Sequence, residues 1–101
     1  MKLDQFWSKL EKLSRPITLK TRARKQEFEL LYDSRYGDVV VTPFATKMPR
    51  HILRQDFERV WNKFKQIDGD SFRPGYYQRD TLNASYILVM MEHFLAGEKV
   101  E

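Results

Sequence analysis

The chain contains no cysteine, and that absence excludes disulfides, thiolate catalysis and thiolate metal sites together. It fits a reducing cytoplasm. Histidine is nearly as scarce: His51 and His93 are the two present, and they do not form a paired-histidine metal spacing. The four glycines, Gly37, Gly69, Gly75 and Gly97, form no glycine-rich phosphate loop. The longest uninterrupted apolar run, Tyr86 to Met91, is far too short to span a bilayer, and no membrane partner is expected. Charges spread through Met1 to Leu13 leave no apolar core for a signal peptide there. Serines occur without a recognisable nucleophile setting. Asp33, Asp38, Asp68 and Asp70 read as turn residues, where aspartate is favoured for local hydrogen bonding. No catalytic residue, no cofactor and no metal site is therefore expected.

What is present is enough for one domain. A length of 101 residues supports a single core but not two ordinary ones. Hydrophobic residues at 42% and aromatics at 14% place the chain among folding sequences rather than disordered ones.

The net charge of +4 is unevenly placed. Residues 1–25 carry eight Lys/Arg against Asp4 and Glu11, a balance of +6, whereas the remaining 76 residues carry ten against twelve acids. Basicity is local, as in a patch. Arg15 to Lys25 is its centre, with Arg15, Lys20, Arg22, Arg24 and Lys25 and no acid. In an extended chain Lys20, Arg22 and Arg24 would project from one side. Such a row can track phosphates, or it can keep an edge strand soluble.

The element order reads α-β-β-β-α-α, with three or four strands. A helix from about Asp4 to Leu13 buries Leu3, Phe6, Trp7, Leu10 and Leu13, and Pro16 ends it. Ile17 and Leu19 share odd parity while Phe28, Leu30 and Tyr32 share even parity, so a turn or bulge must lie around Arg22 to Gln26. Arg35-Tyr36-Gly37-Asp38 marks the next turn, and Val39 to Thr42 is a strand rich in β-branched residues. Arg50 to Leu53 is long enough for a short further strand. Phe57, Val60, Trp61 and Phe64 form one helical stripe that Asp68-Gly69-Asp70 closes, and a last helix from about Asn83 to Ala96 stops at Gly97. The expected class is α+β, a single domain with the helices packed on one face of a small antiparallel sheet.

Three constellations bear on function. The basic hairpin offers Lys20, Arg22, Arg24 and Lys25, with Lys47, Arg50 and Arg54 extending the patch if their loops lie near. The alternative is a solvated edge, neutralised across the hairpin by Glu27 and Glu29. The loop Phe72-Arg73-Pro74-Gly75-Tyr76-Tyr77-Gln78-Arg79 interleaves aromatics with Arg73 and Arg79, a pattern able to stack on unpaired bases and pair with phosphates. Equally, Phe72 and Tyr76 can plug the core beneath the loop. The last helix is apolar nearly all round: only Ser85 and Glu92 form a polar stripe, interrupted by Val89. Either it is the central helix, or its spare face with Tyr86, Val89 and Met90 meets a second copy.

From Gly37 onward the landmarks run Val39-Val40-Val41-Thr42-Pro43, then Thr46-Lys47-Met48-Pro49-Arg50-His51-Ile52, Asp56-Phe57-Glu58-Arg59-Val60-Trp61 and Asn83-Ala84-Ser85-Tyr86-Ile87-Leu88. This order resembles small accessory domains within or beside bacterial restriction-type and other mobile-element proteins, including short proteins carried on gene cassettes. The resemblance covers about residues 37–95 and brings no catalytic motif. It implies an accessory or binding role, with DNA as a partner. Two expectations follow: a non-catalytic nucleic-acid-associated module using the basic hairpin, or a protein-interaction module forming a homodimer or accessory subunit through the last helix.

Overall fold

The computed structural model describes residues 1–67 and 69–101. Its elements are α1 (Leu3–Glu11), β1 (Ile17–Lys20), β2 (Glu27–Asp33), β3 (Asp38–Pro43), β4 (Arg50–Ile52), α2 (Arg54–Phe64), a 3-10 turn (Pro74–Tyr77) and α3 (Ala84–Leu95). The strands form one antiparallel sheet in the order β1-β2-β3-β4. The fold is α+β, as the periodicities predict.

Register explains which side is buried. Ile17 faces Leu30, Leu19 faces Phe28, Leu30 faces Val41, and Val39 faces Ile52. Residues directly opposite project to the same face, so these apolar pairs form one continuous surface. The helices cover it: Phe6, Trp7 and Leu10 of α1, Phe57, Val60 and Trp61 of α2, and Ile87, Leu88 and Met91 of α3 join the same core. Phe6 meets Trp61 and Phe57 at centroid distances of 5.3 and 5.9 Å, locking α1 to α2. Thr18, Glu29, Leu31, Val40 and Thr42 alternate onto the opposite face, which is more exposed and which the described helices leave uncovered.

α3 is the central helix. Met90 is 0% exposed, as are Ile87 and Met91, so Met90 cannot belong to an outward interface. Tyr86 and Val89 remain partly exposed. The helix ends with Ala96 and Gly97 at φ 49° and 89°, the left-handed conformation expected of a C-terminal stop. α2 ends at Phe64, ahead of the predicted closure at Asp68-Gly69-Asp70, of which Asp68 lies outside the described residues. No described helix is long and apolar enough to cross a membrane.

Candidate anion-binding cleft

The parity change in the sequence becomes a tight turn. The Thr21 N–H donates to the Gln26 carbonyl at 2.9 Å, and the Gln26 N–H donates back to Thr21 Oγ1 at 3.0 Å. Residues 22–25 therefore bulge as a four-residue loop, with Lys25 at φ 53° in the position that glycine favours. β1 stops at Lys20, so Lys20, Arg22 and Arg24 do not form the single row that an extended chain would give. Lys20 pairs in register with Glu27, while Arg22 and Arg24 sit in the turn.

That turn faces the loop that follows α2. The Tyr77 ring is the plug of this loop: it is wholly buried, and its hydroxyl donates to the Ser71 carbonyl at 2.7 Å. Burial pushes the Tyr77 phenol up to about 12. Phe72 packs edge-on against Phe64 at 5.0 Å, and Lys63 donates to Asp80 at 2.8 Å, so the loop is tied to α2 at both ends. Tyr76, the other expected plug, is exposed and lies under Arg73, whose guanidinium is 5.8 Å from its ring centroid.

Between turn and loop lies a cleft of about 500 Å³, and α3 lines it along one side. Arg22 and Arg24 enter from the turn, Arg73 from the loop, and Arg50 from the start of β4. Arg50 lies 5.7 Å from the centroid of the Tyr86 ring, which packs edge-on against Phe28 at 5.0 Å. Ser85, Val89 and Glu92 line the α3 side, so the polar stripe of the last helix and its interruption turn toward this cleft. Thr21, Gln26 and Gln78 complete its polar lining, residues that no charge or periodicity signal singles out.

The electrostatics are one-sided. Arg22 donates to Asp70 at 2.9 Å, and this hydrogen bond, reinforced by the attraction between the two charges, raises the Arg22 pKa. The same bond holds the Asp70 carboxyl below its ordinary value, aided by the Phe72 N–H. Among the described residues, Arg24, Arg50 and Arg73 have no carboxylate within ion-pair distance. Glu92 is the one acidic residue among those described along the walls. Arg24, Arg50 and Arg73, beside the Arg22–Asp70 pair and Glu92, leave a surplus of positive charge that makes a basin for anions.

The remaining expected cations lie elsewhere. Lys20 borders a neighbouring groove with Arg22, Val89 and His93, and Lys47 sits beside Phe44, Glu29 and Thr42 at another depression. Lys25, Arg54 and Arg79 do not line the arginine cleft, and Arg54 pairs with Asp4 and Glu58 instead. Compared with protein-family models, curated proteins and solved structures, the chain matches none.

Proposed function

We propose that the chain is a non-catalytic module that binds single-stranded nucleic acid, with the arginine cleft holding the phosphate backbone. What supports this reading is the convergence of Arg22, Arg24, Arg50 and Arg73, drawn from three separate chain segments, on one cavity. Guanidiniums present planar pairs of donors that match phosphate oxygens. Phe72 and Tyr86 in the same walls, with Tyr76 next to Arg73, offer aromatic surfaces on which unpaired bases stack. A cleft of about 500 Å³ offers room for a short length of backbone with its bases. Contacts of this kind read the backbone and carry little sequence information.

The test is fluorescence anisotropy with a labelled oligonucleotide at low ionic strength, comparing the wild type with the Arg24→Ala/Arg73→Ala double variant. Neither side chain holds an ion pair with a described residue, so the fold is not expected to suffer. Affinity should fall about tenfold or more, alike for unrelated sequences. Undiminished binding by the double variant contradicts the proposal.

A protein-interaction role is favoured by a different surface from the last helix. On the uncovered sheet face Leu31 stands opposite Val40, and exposed Phe44 and Met48 follow β3. Light scattering decides it: a dimer that Leu31→Lys dissolves supports this second reading, and a monomer at high micromolar concentration removes self-association.

A further inference from the structure

At the far end of β2 from the arginine cleft, Asp33, Asp38 and His51 come together. Each offers one ligand atom, and these atoms all lie within 4.8 Å of one another. Asp33 and Asp38 are the last register pair of β2 and β3, so two carboxylates stand directly opposite each other, an arrangement that destabilises a sheet when left uncompensated. Asp38 is not the solvated turn residue its sequence context predicts. Its side chain is 5% exposed, one carboxylate oxygen lies 2.9 Å from His51 Nδ1, and the other, Oδ1, is buried with no hydrogen-bond partner among the described residues.

A buried carboxylate with an orphaned oxygen, facing a second carboxylate, is under-neutralised. Arg35 offsets part of this: its N–H donates to Asp33 Oδ1 at 3.0 Å and its Nε lies 3.5 Å away. Among the described residues it leaves Asp38 with His51 alone. We propose that Asp33, Asp38 and His51 form a site for a divalent first-row transition-metal cation such as Zn²⁺. One imidazole with two carboxylates is a donor set that suits such ions, and three protein ligands leave positions for water. A cation bound here takes the place of the direct 2.9 Å contact between His51 Nδ1 and Asp38 Oδ2. His51 is 48% exposed, which leaves an entry path from solvent. The Tyr36 ring stands edge-on to the imidazole at 5.8 Å.

Isothermal titration of the metal-stripped full chain with Zn²⁺ tests the site, with Mg²⁺ as the comparison ion. The expected result is one Zn²⁺ per chain, a rise in melting temperature with Zn²⁺ and no response to Mg²⁺. His51→Ala, its folding verified by circular dichroism because it removes the partner of Asp38, should weaken Zn²⁺ binding by about tenfold or more, and Asp33→Asn should do the same. Co²⁺ should give visible absorption that His51→Ala abolishes. No Zn²⁺ binding in the wild type, or binding undiminished in both variants, overturns the proposal. In that case the Asp38–His51 pair neutralises the site without a metal.

Discussion

Arg22 and Asp70 are 48 positions apart, and their 2.9 Å ion pair bridges the β1–β2 turn to the loop ahead of the 3-10 turn. The pair spans one edge of the arginine cleft, so its carboxylate competes with any phosphate for the same guanidinium. Asp70→Asn should therefore tighten oligonucleotide binding by roughly two- to tenfold, because asparagine keeps an acceptor for the Phe72 N–H but loses the charge. Weaker binding would mean that Asp70 positions Arg22 rather than competing for it. The pH dependence has a definite sign. Asp70 is depressed below its ordinary 3.8, so the pair stabilises the fold above that pH and is lost as pH falls through the lower folded value.

The Tyr77 hydroxyl sets an alkaline limit. With its folded value at about 12 against an ordinary 10.0, the neutral phenol stabilises the fold fully below pH 10, and that contribution vanishes as pH rises toward 12. The shift corresponds to at most ~3 kcal/mol. Absorbance at alkaline pH should show one of the five tyrosines ionising late, together with loss of tertiary signal. Tyr77→Phe should remove the late step and cost about 1 kcal/mol through the lost bond to Ser71. Five tyrosines that titrate together near their ordinary value would contradict the burial.

Lys25 occupies the left-handed region at φ 53°. A side chain there costs about 1 kcal/mol, and glycine returns part of that as unfolded-state entropy, so Lys25→Gly should gain about 0.5 kcal/mol in denaturant melts. Oligonucleotide affinity should change little, since Lys25 lies outside the cleft. A marked loss of stability would show that the lysine makes an essential contact.

Met90 separates a central helix from an interface helix. Its truncation in Met90→Ala should destabilise by ~3 kcal/mol, whereas Leu82→Ala, at a site 92% exposed, should be nearly silent. A silent Met90→Ala would restore the outward face.

The fold was legible because its signals are local and redundant. Phe57, Val60 and Trp61 announce α2 by spacing alone, and Leu19 against Phe28 announces a turn by parity alone. The 3-10 turn was hidden, since Pro74-Gly75 reads simply as a loop, and Tyr77 rather than Tyr76 became its buried anchor. Four of the nine expected cations meet in the cleft, and Lys20, Lys25, Lys47, Arg54 and Arg79 do not. The difference is tertiary: charge asymmetry marks a patch, but only the placement of the β1–β2 turn against the loop and α3 decides its members. Asp38 and His51 were unreadable for the same reason, because register across β2, β3 and β4 unites them with Asp33.

Salt dependence of binding tests the central claim most directly. With three or four phosphates neutralised, the logarithm of oligonucleotide affinity should fall with the logarithm of salt concentration at a slope of about −2 to −3, and Arg24→Ala should reduce that slope by about 0.7. A flat salt profile, or a slope that Arg24→Ala leaves unchanged, would contradict a phosphate-binding cleft built from these four arginines.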